Sequence, residues 1–134
     1  MTNKSVGANP ASVPPPIKPH YSNSIRTEGG PLLFIAGQVA LDEDGKLVGE
    51  GDIRAQATQV LENIRSIIEA NGGTMSDIAQ VTVYVREIAA FNSISDIRES
   101  YFPKDGTASA IVEVSALAWP EFLIEIAAVA ALPN

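Results

Sequence analysis

One carboxylate stands out among the residues that could perform chemistry, because apolar side chains surround it. Glu125 is the only charged residue between Phe122 and Asn134. An ionised carboxylate in apolar surroundings needs a hydrogen-bonding partner, a bound water or a proton, since leaving it unpaired costs several kcal/mol. We therefore predict a catalytic or binding site around Glu125. The competing interpretation is a structural glutamate, hydrogen-bonded or ion-paired at an oligomer interface.

The register of the last two strands suggests which residue faces Glu125. Apolar patterning predicts strands over residues 108–114 and 122–131. If these strands form a hairpin that turns near Leu117, Ser109 lies opposite Glu125. Neither strand carries a Lys, Arg or His, so the hairpin itself offers no cation to neutralise the carboxylate.

Three other residues are weaker candidates. His20 is the only histidine in the chain, and no nucleophile motif accompanies it, so we expect a solvated or capping role. Tyr21 either places its hydroxyl or ring in a cleft or anchors the segment before it. Gly37 follows an apolar strand, where its backbone amide either faces a ligand or belongs to an ordinary turn.

The helices that would position these residues follow from the spacing of apolar side chains. Asp52 is a natural N-cap for a helix whose apolar residues recur at steps of three and four until Gly72. The alternating residues 78–85 predict a strand directly after that helix. Residues 91–102 place apolar groups on one face of a second helix, which ends before Pro103.

The remaining strands complete an α+β pattern. Residues 22–27 and 32–36 are expected to pair as a hairpin, which gives the order ββαβαββ. Two helices can cover only one face of such a sheet, yet the last strand is apolar on both faces. Another copy of the chain would have to cover the second face, so we predict a homo-oligomer.

Length and composition define the domain and the class of protein. A chain of 134 residues with 46% hydrophobic composition has room for one core. Prolines are concentrated in the first residues, so we predict a flexible proline-rich tail over 1–16 and one domain over 17–134. Cysteine is absent, which excludes disulfides, thiolate metal sites and a cysteine nucleophile.

Charge and the absence of motifs exclude several functions. The formal net charge is −7 and the basic residues are scattered, which disfavours nucleic acid and anionic membranes as partners. We predict no cofactor and no metal. Asp42 begins a sequence that resembles a calcium loop, but its twelfth position is Ile53 rather than glutamate. No segment has the pattern of a signal peptide or membrane span, so we expect a cytoplasmic protein.

Several spaced motifs together resemble the Rid family, also called YjgF-like and long labelled endoribonuclease L-PSP. The resemblance covers about residues 17–132, and it is specific because the motifs agree in order along nearly the whole chain. The matching segments are Tyr21-Ser22, Ile35-Ala36-Gly37-Gln38-Val39, residues 77–85, residues 108–114 and Ile124-Glu125-Ile126.

The resemblance implies a chorismate-mutase-like fold and a homotrimer, with the sheets forming a barrel inside and clefts between neighbouring subunits. The best known members hydrolyse reactive imines and enamines to 2-oxo acids and ammonia without a cofactor. In them an arginine binds the substrate carboxylate, and the glutamate of the last strand helps to hold the attacking water. The glutamate corresponds to Glu125 and the tyrosine of the cleft to Tyr21.

This chain departs from the family pattern at the arginine, whose position holds Ser109. Ala36 and Ser95 also stand where a serine and an asparagine are common. A hydroxyl cannot replace the bidentate, charged recognition of a carboxylate by a guanidinium, so the chain resembles an arginine-lacking subgroup with altered specificity. Arg98, one helical turn after Ser95, could supply a relocated anion contact; the alternative is a solvent-facing helix arginine beside Glu99.

Three functions follow as competing hypotheses. The first is an imine or enamine deaminase-like hydrolase, in which Glu125 and backbone groups near Gly37 and Ile111 position water. The second is a non-catalytic trimer that binds a small metabolite or a partner protein in the intersubunit cleft. The third is a nuclease, which the acidic charge and the lack of a metal motif or histidine pair disfavour.

Overall fold

The computed structural model describes residues 5–134, with side chains from Gly7 onward. It confirms the predicted α+β fold and most of its elements. The strands are β1 (Ser5–Ala8), β2 (Ser24–Thr27), β3 (Leu32–Gln38), β4 (Ile78–Val85), β5 (Ala108–Glu113) and β6 (Ile124–Ala131). The helices are α1 (Ile53–Ala70), α2 (Ala90–Ser93) and α3 (Ser95–Tyr101).

The long helix α1 forms where its apolar spacing predicts it. The side chain of Asp52 accepts hydrogen bonds from the backbone N–H groups of Arg54 and Ala55, which satisfies two of the donors that a helix start leaves open. The chain leaves the helix at Asn71 and turns through Gly72, whose φ of 84° favours glycine. The buried face of α1 packs on the sheet through Gln56, Ala57, Val60, Leu61, Ile64 and Ile68.

The second predicted helix is divided. Ile94 departs from helical geometry, with φ −115° and ψ 3°, and separates α2 from α3. The side chain of Ile94 is completely buried, so the break between the two helices is anchored to the core by this residue.

Strand pairing differs from the two predicted hairpins. The four-stranded sheet has the order β3-β6-β4-β5, with β6 antiparallel to both neighbours and β4 parallel to β5. The predicted pairing of β5 with β6 is therefore wrong. Strand β6 instead occupies an interior position between β3 and β4, and α2 and α3 make the crossover that parallel strands require.

The predicted hairpin of the first strands is also wrong. Strand β2 pairs with β1 in a separate two-stranded sheet, with Ser5 opposite Thr27, while β3 pairs with β6. Strand β1 lies inside the segment predicted to be a flexible tail, so regular structure begins earlier than expected. The domain boundary at residue 17 stays a prediction.

The helices cover one face of the four-stranded sheet and leave the other face open. Val81, Val83 and Val85 of β4 are buried beneath the helices, whereas the alternate residues are partly exposed or exposed. On the open face Phe34 is 74% exposed, a large value for a phenylalanine in the middle of a strand. No helix within residues 5–134 is both long and apolar enough to cross a bilayer.

Candidate functional site

Glu125 lies on the open face of the sheet. It pairs with Tyr84 of β4, and Tyr84 alternates with the buried valines of that strand. The Glu125 side chain is half-buried and forms no hydrogen bond or ion pair with the described residues. Among the described residues, the carboxylate therefore has no partner, and it is available to a water or a ligand.

Gly37 lies directly beneath the carboxylate of Glu125. A Cβ atom at position 37 would collide with Oε2 of Glu125 and would also crowd its Cδ and Cγ. The regular pairing of β3 with β6 is interrupted between Ile35 and Gln38, so that Ala36 and Gly37 have no Cα partner on β6. Such bulges redirect side chains near functional sites, and this one gives the Glu125 side chain the space it occupies.

Ser109 and Ile111 lie on the opposite face from Glu125. They pair with Val81 and Val83, whose side chains are buried beneath the helices, and Ile111 packs against the core. The expectation that Ser109 faces Glu125 is therefore wrong, because it assumed a hairpin of β5 and β6. Within one chain, Gly37 lies next to Glu125, whereas Ile111 lies on the other face of the sheet.

The hydroxyl of Ser109 instead meets the guanidinium of Arg98. The Arg98 Nη2 group donates a hydrogen bond of 2.5 Å to Ser109 Oγ. Arg98 is only 2% exposed, so the alternative of a solvent-facing helix arginine is wrong. Burial is the main cause that lowers the pKa of Arg98 to about 10, a value at which the group stays charged at neutral pH.

His20 and Tyr21 lie beside this arginine. His20 is 1% exposed, which contradicts the expected solvated role. Burial lowers the pKa of His20 to about 4, and the charges of Arg98 and Lys18 add to the effect. The rings of His20 and Tyr21 meet edge to face at 5.5 Å, and the Tyr21 hydroxyl accepts a hydrogen bond from the backbone N–H of Ile17.

Ser95 takes no part in this group. Its hydroxyl donates to the backbone carbonyl of Phe91 in the preceding turn, at 2.7 Å. The bond spans the break between α2 and α3 and satisfies the hydroxyl locally. No contact among the described residues supports the predicted binding role of Ser95.

The candidate residues thus form two groups on opposite faces of the sheet. The open-face group consists of Glu125 and Gly37, and the arginine group consists of Arg98, Ser109, His20 and Tyr21. Sequence reasoning did not place His20 in either group. The signal that could have suggested a buried role is its position as the only histidine, directly before Tyr21 and after the proline-rich segment. Within the described part of the chain, no cluster of three or more His, Asp or Glu residues has the arrangement of a metal site.

Comparison with known proteins identifies the family to which this arrangement belongs. The family model described as endoribonuclease L-PSP matches residues 12–132. The chain belongs to this family. It is 41% identical over 119 residues to a RutC family protein from Pyrococcus horikoshii, with 89% of this chain and 91% of that protein covered.

Two further relatives extend the comparison. The 3-aminoacrylate deaminase RutC of Acinetobacter baylyi is 34% identical over 121 residues, with 90% and 93% of the two chains covered. A crystal structure of a Rid family protein of unknown function from Yersinia pestis superposes with a TM-score of 0.89 at 34% identity, with 96% of this chain and 98% of that chain covered. The fold and the Rid family assignment therefore agree with the resemblance found in the sequence.

Proposed function

We propose that this Rid family chain is a cofactor-free hydrolase of reactive imines and enamines, in which Glu125 holds the attacking water. The observation that carries the proposal is the half-buried, unpaired Glu125 carboxylate packed over Gly37. The 34% identical relative named 3-aminoacrylate deaminase supports the same class of chemistry.

The reaction requires only water and one group that accepts a proton. A water hydrogen-bonded to Glu125 attacks the carbon of a protonated C=N bond and transfers one proton to the carboxylate as the C–O bond forms. The resulting carbinolamine takes that proton on nitrogen. As the C–N bond breaks and ammonia leaves, the hydroxyl gives its proton back to the carboxylate and becomes the C=O group, and that proton then passes to ammonia, which departs as ammonium. Positioning of the water and a nearby base are both effective catalytic devices for such an addition.

We propose further that the complete site lies between two copies of the chain. The arginine group and the open-face group lie on opposite faces of one sheet, so a single copy cannot present both to one small molecule. The exposed apolar side chains of the open face, which include Phe34 and Val112, suit burial against a second sheet. A homotrimer with intersubunit clefts is the assembly that we expect.

The substitution Glu125→Gln tests the catalytic role of the carboxylate. The amide has nearly the same size but cannot accept the proton, so we expect ammonia release to fall roughly 100-fold, within the usual range for loss of a general base. The measurement is the rate of ammonia release from freshly generated 2-iminopropanoate, above the rate without protein.

Glu121→Gln is the matched control, because Glu121 is an exposed carboxylate just before β6. It should leave the rate unchanged. Wild-type protein that gives no acceleration with 2-iminopropanoate or with carboxylate-free imines would contradict the proposed function. Equal ligand affinity without turnover, in both wild type and Glu125→Gln, would identify the chain as a non-catalytic binding protein.

A further inference from the structure

A cavity of about 460 Å³ lies where the start of α1 meets α2 and the segments that leave β4 and lead into β6. None of the residues that line it belongs to the open-face group or to the arginine group. Cavities of this size, with an apolar lining and a few polar groups, are typical of small-molecule sites. The apolar part of the lining includes Ile53, Ala89, Ala90 and Leu123, and the charged part consists of Arg86 and Glu87.

Arg86 gives this cavity a cation whose hydrogen-bonding capacity is not used. The residue follows β4 directly, and its side chain is partly buried. Neither ion pair in the described part of the chain includes Arg86. Its Nε–H group is buried without an acceptor, whereas its two Nη nitrogens are not buried, so the end of the guanidinium is accessible from the cavity. Because two carboxylate oxygens match the fork of a guanidinium, Arg86 is suited to a carboxylate that arrives as a ligand.

Glu87 brings the opposite charge to the same cavity. Its side chain is exposed, and it takes part in neither ion pair of the described chain. Two hydrogen bonds fix the turn that carries both charges. The backbone N–H of Arg86 donates to the Leu123 carbonyl at 3.1 Å, and the N–H of Ile88 donates to the Glu113 carboxylate at 3.0 Å. A ligand with only negative charge would be repelled by Glu87, whereas a ligand with an ammonium group beside its carboxylate suits both charges.

We propose that this cavity binds an aliphatic amino acid. Arg86 binds the carboxylate, Glu87 binds the ammonium group, and the apolar lining around Ile53 and Leu123 receives the side chain. This second site is separate from Glu125, and it does not depend on the proposed hydrolysis. A phosphate or a dicarboxylate would add negative charge beside Glu87. A polar side chain would lose its hydration against the apolar lining without gaining a partner.

The ligand class is tested by calorimetric titration with L-leucine and three analogues that each lack one recognised part. We expect saturable binding of L-leucine. 3-Methylbutan-1-amine, which lacks the carboxylate, should bind roughly 10- to 100-fold more weakly. 4-Methylpentanoate, which lacks the ammonium group, should bind about two- to fivefold more weakly, since the acid that it loses is exposed. L-Alanine, with three fewer carbons, should bind roughly 10- to 50-fold more weakly. No saturable binding of L-leucine, or an equal affinity for any analogue, would overturn the proposal.

Substitutions of the two charged residues assign the parts of the ligand. Arg86→Met keeps an apolar stem and removes the cation, so the Kd for L-leucine should rise roughly 10- to 100-fold. Glu87→Gln should raise it about two- to fivefold and remove the preference for L-leucine over 4-methylpentanoate. The matched controls are Arg65→Met and Glu43→Gln, which change exposed charges outside the cavity and should leave the Kd unchanged. An unchanged Kd in Arg86→Met would overturn the proposal.

A variant that fills the cavity keeps the test decisive if Arg86→Met does not fold. Ala89 lines the cavity and is exposed, so Ala89→Phe should occupy the space for the ligand side chain without disturbing the core. We expect this variant to lose binding of L-leucine at unchanged thermal stability. Ala11→Phe, at an exposed position outside the cavity, should bind L-leucine as wild type does. Wild-type affinity in Ala89→Phe would overturn the proposal.

NMR spectra locate the bound amino acid and separate this inference from the proposed function. L-Leucine should shift the methyl signals of Ile53 and Leu123, and it should leave unchanged the ring signals of Tyr84, which pairs with Glu125. Shifts at Tyr84 without shifts at Ile53 and Leu123 would overturn the second site. Absence of ammonia release from 2-iminopropanoate would count against the proposed function alone, and absence of L-leucine binding would count against this site alone.

Discussion

At the scale of single residues, His20 and Arg98 form an unusual electrostatic arrangement. Two groups that can carry positive charge are buried next to each other, and the fold holds one of them neutral. Lys18 adds a third positive charge. A cavity of about 250 Å³ lies beside His20, and Glu99 and Lys104 also line it. Protonation of His20 is thus opposed by burial and by the charges of Arg98 and Lys18.

This arrangement predicts a pH dependence of stability. The pKa of His20 is lowered to about 4 in the folded chain from 6.5. Below pH 6.5 the unfolded chain binds a proton that the folded chain does not, so stability is complete above that pH and is lost as the pH falls toward 4. The contribution is up to about 3 kcal/mol. The measurement is urea unfolding at pH 7 and pH 4.5.

The matched variant is His20→Phe, which keeps an aromatic ring and cannot titrate. It should lose less stability than wild type between the two pH values. NMR titration of the single histidine should give a midpoint near 4, and Arg98→Met should raise that midpoint without restoring 6.5, since burial remains. A wild-type midpoint at 6.5 would contradict the arrangement.

Sequence reasoning at this scale recognised the apolar setting of Glu125 and missed the burial of His20. An isolated charge in an apolar strand can be recognised from the sequence, because its neighbours in the sequence also surround it in the folded strand. The burial of Arg98 and His20 depends on the packing of α3 against the segment around Tyr21, which brings together residues distant in the chain. Their types were visible in the sequence, but their environment was not.

At the scale of elements, Gln56 links α1 to the segment that leads into β6. The side chain is completely buried. Its amide group donates to the carbonyls of Gly49 and Glu121, and its carbonyl accepts from the backbone N–H of Leu123. Leu123 is two residues before Glu125, so this one side chain fixes where the strand with the carboxylate begins.

We expect Gln56→Leu to destabilise the fold by about 3 kcal/mol, because it leaves buried backbone groups without partners. Urea unfolding monitored by circular dichroism measures the free energy. Gln59→Leu is the control on the same helix, since Gln59 is only partly buried and bonds to Asn63 and the Leu41 carbonyl. A loss for Gln56→Leu no larger than for Gln59→Leu would show that the bridge contributes little.

The sequence predicted individual elements well and their pairing poorly. The spacing of apolar residues defines α1 and β4, because helix and strand periodicity are local properties. Pairing between strands is not local, and the assumption that neighbouring strands form hairpins failed for both β2 with β3 and β5 with β6. The apolar character of both faces of β6 predicts layers above and below the sheet, and it does not specify which strands lie beside β6.

At the scale of the whole molecule, the two groups of site residues predict complementation between copies. In the proposed assembly, Arg98→Met and Glu125→Gln subunits are each defective, but a cleft that takes Glu125 from one subunit and Arg98 from the other is intact. Random mixing in equal amounts should leave about one quarter of the clefts intact in a cyclic assembly. The measurement is ammonia release from dilute 2-iminopropanoate after the two variants are unfolded and refolded together.

The control mixture combines wild-type subunits with subunits that carry both substitutions, which should also retain about one quarter of the clefts. A mixture of the two single variants that stays as inactive as either alone, beside an active control mixture, would place the complete site within one copy.

The position of Glu125 and Ser109 on opposite faces of one sheet has a consequence for how the protein responds to dilution. In the proposed assembly, a separated subunit carries two halves of different sites and no complete site. Activity per mole of protein should then stay constant above the dissociation constant of the assembly and fall steeply below it, by mass action. A substrate that bridges the two halves would bind the assembled form better than the separated subunits, and would therefore draw subunits together as it accumulates.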